Sequence, residues 1–101
     1  IRAVEASNGV WETVTDEEIL DTMRFMGKYS GVFGEPAGCA GMAGLRKLVA
    51  NGVIKKDESV VCAVTGNGLK DVKNAIEAAG EPIKVEPTSE GLAEALKKIG
   101  Y

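Results

Sequence analysis

The sequence contains no histidine among its 101 residues. Histidine is the usual proton shuttle near neutral pH and the commonest side chain that binds metal ions in proteins. Its absence excludes catalysis by a Ser-His-Asp or Cys-His arrangement within this chain. We also expect no metal site, because neither cysteine has the C-x-x-C partner that metal-binding motifs use.

Cysteine is scarce, with only Cys39 and Cys62, and both lie inside apolar stretches. Two cysteines are too few for a disulfide framework. The pattern is typical of reduced, buried thiols, and it predicts a cytoplasmic protein.

Long apolar runs and an excess of positive charge are also missing. No stretch approaches the roughly 20 apolar residues that a membrane span needs. The net charge is -3, which argues against a nucleic acid or an anionic membrane as a partner. The start shows no signal-peptide pattern. The chain opens without methionine, on what resembles the end of a helix, so we expect it to be part of a longer sequence.

Local signals predict five helices. A capping box from Thr15 to Glu18 begins one helix, and Gly31 is suited to end it. Pro36 fits the first turn of another helix, which Asn51 ends. The predicted helical ranges are 1–7, 16–29, 36–50, 69–79 and a last helix that Thr88 or Ser89 caps, with Leu92, Leu96 and Ile99 as its apolar stripe.

The stretch Ser59–Val64 is continuously apolar after its first residue, as in a strand buried on both faces. Shorter strands are predicted at Val10–Val14, Val32–Gly34 and Ile83–Val85. Strands that alternate with helices predict an α/β fold, an open parallel sheet with helices on both faces. We expect residues 1–101 to form a single α/β unit with Ser59–Val64 at the centre of its sheet.

Ligands of open parallel sheets bind beyond the carboxyl ends of the strands. Two segments qualify, Glu35–Gly38 and Thr65–Gly68. Thr65 ends an apolar strand, and the glycines after it expose N–H groups at a helix start. The alternative is an ordinary strand-to-helix turn in which Thr65 bonds to the local backbone.

Glycines recur every three residues in the helix that follows Glu35, at Gly38, Gly41 and Gly44. Glycine inside a helix costs about 0.5–1 kcal/mol relative to alanine. Their presence indicates a close approach, either of the sheet or of a flat ligand. Glu35 itself could be a helix cap or dipole partner. The acids Asp16–Glu18 fit a helix start better than a general acid–base pair, and Lys70-Asp71 fits the surface.

Three stretches together resemble the threonine synthase family, whose members are fold-type-II enzymes that use pyridoxal 5'-phosphate. They are Val14–Leu20 (V-T-D-E-E-I-L), Gly31–Ala37 (G-V-F-G-E-P-A) and Val61–Asp71 (V-C-A-V-T-G-N-G-L-K-D), and the third is the most specific. Their order and spacing match those of the family, and the tail around Val85–Pro87 resembles the family's end.

The resemblance implies a role for three residues in binding the cofactor. Thr65 would place its hydroxyl against the pyridine nitrogen, Gly66 would let the backbone pass close to the ring, and Glu35 would help to shape the pocket floor. No catalytic residue is expected in this chain, because the family's Schiff-base lysine, glycine-rich phosphate loop and substrate-phosphate ligands lie earlier in the sequence.

The resemblance further implies the activity of the intact enzyme, which converts O-phosphohomoserine and water to threonine and phosphate. It implies a homodimer in which the remainder of the same chain completes the cofactor pocket. The isolated chain is expected to be inactive and to bind no cofactor. Two alternatives stay open: a piece of a sister enzyme such as threonine dehydratase, and a non-catalytic α/β binding domain.

Overall fold

The computed structural model describes all 101 residues. The chain forms five α-helices and one 3-10 turn at Gly68–Lys70. In chain order the helices are α1 (Arg2–Ala6), α2 (Asp16–Ser30), α3 (Pro36–Ala50), α4 (Val72–Ala79) and α5 (Ser89–Lys98). Each predicted helix is therefore present, with the first part of the predicted 69–79 helix wound as the 3-10 turn.

The ends of helix α2 confirm two local predictions. The Glu18 N–H donates to the Thr15 hydroxyl oxygen at 3.2 Å, and the Thr15 N–H donates to Glu18 Oε2 at 2.8 Å. These two bonds satisfy N–H groups that a helix start leaves without partners. The helix ends at Gly31, whose φ of 69° is left-handed and suits glycine.

Helices α3 and α4 both pack against α2. The small core between them consists of Met23, Met26, Cys39 and Ala78. Arg46 on α3 ties α2 and α3 together: its Nη1 lies 2.9 Å from Asp21 Oδ2 and 2.9 Å from the buried Thr22 hydroxyl. Its guanidinium also lies 4.4 Å from the centre of the Phe25 ring.

The predicted open parallel sheet is wrong. The structure has no strand and a single isolated antiparallel bridge, between Gly34 and Asn67. A strand requires a neighbour to exchange N–H and C=O bonds, and no residue of Ser59–Val64 forms a bridge with another segment of this chain. Val61 is 97% exposed, so the segment is not buried on both faces. The chain is helical and has no sheet.

Only one side of this extended segment is covered. Cys62 and Val64 are half-buried, while Val61 and Ala63, which point the other way, are exposed. Val64 packs against the core that contains Cys39, which places the covered side on helix α3. The continuous apolar run therefore lies along a helix, and its outer side chains face solvent.

The C-terminal helix α5 makes no contact with another helix comparable to those of α2. Its apolar stripe is exposed at Leu92, Leu96 and Ile99, and Ala95 is its one buried residue. The molecule is elongated, 62 × 29 × 20 Å.

No helix has the length and apolar character that would let it cross a membrane. No cluster of three acidic, cysteine or histidine side chains has the arrangement of a metal site.

Candidate functional site

Two loops that are distant in the sequence meet at the start of helix α3. The Glu35 N–H donates to the Gly66 carbonyl at 2.9 Å, and the Gly68 N–H donates to the Phe33 carbonyl at 3.0 Å. These bonds flank the bridge between Gly34 and Asn67. The structure thus brings together the two segments that the sequence singled out, although no sheet holds them. We call residues 33–35 and 65–68 the paired loops.

The approach of the paired loops depends on the absence of side chains at three glycines. A Cβ at Gly34 would lie 2.6 Å from Val64 Cγ1 and 2.7 Å from Cys39 Sγ, and a Cβ at Gly68 would lie 2.6 Å from Phe33 Cζ. At Gly66 a Cβ would overlap the carboxylate of Glu35. The space that Gly66 leaves open is therefore filled by the Glu35 side chain.

Glu35 is the N-cap residue of α3, but its carboxylate does not bond to the helix backbone. The side chain is only 18% exposed, and Glu35 Oε2 lies 3.3 Å from Lys70 Nζ. The carboxylate is thus held between the Gly66 backbone and one cation. It also lies near the positive end of the α3 dipole, which favours its negative charge.

Thr65 lies exposed at the edge of the paired loops. Its hydroxyl takes part in no hydrogen bond within the chain, whereas the neighbouring Asn67 side chain accepts from the Leu69 N–H at 2.9 Å. Asn67, rather than Thr65, therefore caps the turn. The Thr65 hydroxyl keeps both its donor and its acceptor capacity for a ligand.

The glycine series of α3 has different surroundings at each position. A Cβ at Gly38 would lie 3.2 Å from the Gly66 nitrogen and 3.3 Å from the Thr65 nitrogen, so the chain's own backbone approaches there. At Gly41 and Gly44 the nearest atoms would be 3.8 Å and 3.9 Å away, which is ordinary contact. Gly38 therefore allows helix α3 to pack directly against the backbone of Thr65 and Gly66.

Beneath the paired loops the core is apolar and closed. Cys39 is fully buried, and burial raises the pKa of its thiol, mainly through desolvation of the thiolate. The thiol therefore remains neutral and unreactive at neutral pH. Both cysteines are free, and neither supplies a nucleophile for the site.

Sequence reasoning missed two features of this region. One is the ion pair between Lys70 and Glu35, for which residues far apart in the sequence give no local signal. The other is the cap of helix α4, where Asp71 Oδ1 accepts from the Asn74 N–H at 3.1 Å. Aspartate three residues before a helical asparagine is a readable capping pattern, so Asp71 could have been found.

The comparison with protein families decides what this region belongs to. A family model described as pyridoxal-phosphate dependent enzyme matches residues 1–66, about two thirds of the chain, and this range includes Glu35, Thr65 and Gly66. The chain belongs to this family.

Individual members of the pyridoxal-phosphate dependent family are also similar over most of this chain. Threonine synthase of Methanocaldococcus jannaschii is 44% identical over 97 residues, which cover 96% of this chain and 24% of that protein. Threonine synthase of Halalkalibacterium halodurans is 48% identical over 90 residues, 89% of this chain and 25% of that protein. Threonine synthase of Mycobacterium tuberculosis is 38% identical over 91 residues, with coverages of 88% and 25%. The chain spans about a quarter of the length of these relatives.

The paired loops fit part of a pyridoxal phosphate site. The free Thr65 hydroxyl is a suitable partner for a ring nitrogen, and the backbone beside it carries no side chain at Gly66. The Glu35 carboxylate lies against that same backbone. A neutral hydroxyl can donate a hydrogen bond to such a nitrogen, but neither it nor the paired carboxylate supplies a phosphate cradle or a lysine that bonds to the cofactor.

Proposed function

We propose that this chain is the C-terminal part of a threonine synthase and forms one wall of its pyridoxal phosphate pocket. The similarity to threonine synthases over 96% of the chain carries the proposal. The arrangement of Thr65, Gly66 and Glu35 supports it, because these three residues lie together and Thr65 is open to a ligand. The intact enzyme would convert O-phosphohomoserine and water to threonine and phosphate.

Each of the three residues has a defined task in this proposal. Thr65 binds the pyridine nitrogen through its hydroxyl, and Gly66 leaves the space that the Glu35 carboxylate fills at the pocket floor. When bound, the cofactor supplies an electron sink for the reaction. A neutral hydroxyl does not hold a proton on the ring nitrogen as an aspartate would. A cofactor paired with Thr65 would therefore withdraw electrons less strongly. No residue of this chain is assigned a catalytic role.

The remainder of the enzyme chain is the proposed partner, and it would supply the lysine and the phosphate cradle. By the same resemblance we propose a homodimer. A cytoplasmic location is supported by the two free cysteines, one of them fully buried. Threonine dehydratase is less favoured, since the similar relatives described above are named threonine synthase.

The proposal is tested with two purified proteins, the full-length gene product and the 101-residue chain. The full-length protein should bind pyridoxal phosphate and release phosphate from O-phosphohomoserine, and threonine should form in equal amount. The 101-residue chain should do neither, and borohydride should label none of its lysines stoichiometrically. A full-length protein that deaminates threonine but ignores O-phosphohomoserine would replace the proposal with a dehydratase.

A further inference from the structure

The Glu35 carboxylate has a single polar partner in the chain. Its side chain is 18% exposed, it makes no cap bond, and Lys70 Nζ at 3.3 Å is its one ion pair. A carboxylate largely withdrawn from water needs a cation or hydrogen bonds to remain in place. Without Lys70, the Glu35 carboxylate would regain its hydration by rotating out to solvent.

Lys70 is placed for this contact by the turn that carries it. The 3-10 turn Gly68–Lys70 begins at Asn67, whose side chain accepts from the Leu69 N–H. The Lys70 N–H in turn donates to the Asn67 carbonyl at 3.0 Å. The lysine therefore extends back across the paired loops from a fixed base, although its side chain is 68% exposed.

We infer that Lys70 is a positioning residue: it holds the Glu35 carboxylate against Gly66 and thereby fixes the backbone that presents Thr65 to the cofactor. The inference rests on the proposed function, in which Thr65 and Glu35 belong to the pyridoxal phosphate pocket. It adds a residue that lies outside the family-matched range 1–66. Lys70 itself touches neither cofactor nor substrate in this inference.

The test uses the full-length apoenzyme and measures the dissociation constant of pyridoxal phosphate by the fluorescence of the bound cofactor, together with kcat and KM. Lys70→Met should weaken cofactor affinity roughly two- to fivefold, the range for an ion pair with one exposed partner. Lys70→Arg should restore it, because the charge returns. Lys73→Met, which removes the same charge from an exposed position without an ion pair, is the matched control and should bind as the unmodified enzyme does.

A double-mutant cycle shows whether Lys70 acts through Glu35. In a Glu35→Gln background, Lys70→Met should have no further effect on cofactor affinity, because the charge that it holds is gone. The inference would be overturned if Lys70→Met bound the cofactor as tightly as the unmodified enzyme does. It would also be overturned if Lys70→Met weakened binding equally in the Glu35→Gln background. Either result would leave the proposed function intact. Failure of the unmodified enzyme to bind pyridoxal phosphate would instead refute the proposed function and this inference with it.

Discussion

The Thr65 hydroxyl is exposed and makes no hydrogen bond within the chain, while its neighbours in the paired loops are bonded to one another. The turn that follows is capped by Asn67, so Thr65 is not needed for it. An exposed hydroxyl without a partner in the chain can bond to water or to a ligand. Thr65 differs in this respect from Gly66 and Glu35, which contact each other.

Thr65→Val in the full-length enzyme keeps the side-chain shape and removes the hydroxyl. The pyridine nitrogen of the bound cofactor would then lose its partner. The rate per bound cofactor should fall by roughly one to two orders of magnitude, since a polar group left unpaired in a closed pocket costs about 1–3 kcal/mol. Thr65→Ser should be mild. Rates per bound cofactor and the Tm of each variant are measured together. A Val variant with a normal rate but a lowered Tm would show that Thr65 is structural only.

Gly66→Ala tests the space beside Glu35. The added methyl group would overlap the Glu35 carboxylate and push that flexible side chain away from Lys70. We expect weaker pyridoxal phosphate binding with a small change in Tm. Gly27→Ala is the matched control, because the same methyl group meets nothing within 4 Å there and should stabilise helix α2 by about 0.5–1 kcal/mol. Unchanged cofactor affinity in Gly66→Ala would show that the position of Glu35 is irrelevant.

At the scale of elements, the sequence predicts helices well and strands poorly. The bounds of α2 and α3 follow from local features, the Thr15–Glu18 capping box, Pro36 and Gly31, each of which acts within a few residues. A strand depends on a neighbour, and the apolar run at Ser59–Val64 finds none in this chain. Cover by helix α3 on one side accounts for the apolar Cys62 and Val64, whereas Val61 and Ala63 face solvent in this chain.

The candidate site was predictable in part for the same reason. Thr65, Gly66 and Glu35 stand out because glycine-rich turns and a proline helix start are local patterns. The Glu35–Lys70 pair is not local, because it arises only when the paired loops meet, so no pattern of neighbouring residues indicates it. The Asn67 cap of the 3-10 turn, in contrast, is local, and asparagine is a common cap.

Helix α2 should lose a defined contribution to stability in acid. The pKa of Glu18 is lowered from its ordinary value of 4.5, chiefly by the hydrogen bond from the Thr15 N–H. A lowered pKa in the folded state means that Glu18 stabilises the fold above 4.5 and that this contribution disappears as the pH falls through the folded-state pKa. The Tm of Glu18→Gln should therefore lie below that of the unmodified protein near neutral pH and equal it in strong acid. Glu94→Gln, an exposed glutamate of α5 without an ion pair, should show no such convergence.

At the scale of the whole molecule, little of the chain is buried. Only 11 of 101 residues are buried, and the radius of gyration is 17.9 Å. A compact domain of this length has a radius of gyration of about 13 Å. Helix α5 packs closely on none of the other helices. The 101 residues therefore exclude less surface from water than an independent domain does.

The isolated chain should accordingly unfold with weak cooperativity. The slope of its unfolding free energy against urea concentration scales with the surface exposed on unfolding, and small proteins give about 1–3 kcal/mol per molar urea. We expect a value at or below the bottom of that range. Urea titration followed by far-ultraviolet circular dichroism measures it. A steep transition with the slope of a compact domain would show that these residues fold independently.

The segment Val60–Val64 has a further consequence for anyone who handles the isolated chain. It has five consecutive apolar residues with neither charge nor proline, and its outer side is bare at Val61. Segments of this kind are templates for intermolecular cross-β assembly. Concentrated samples should slowly form fibrils that bind thioflavin T, and Val61→Lys should delay them because it adds a repelling charge to the bare side. Shelf life would then depend on a side chain outside the candidate site.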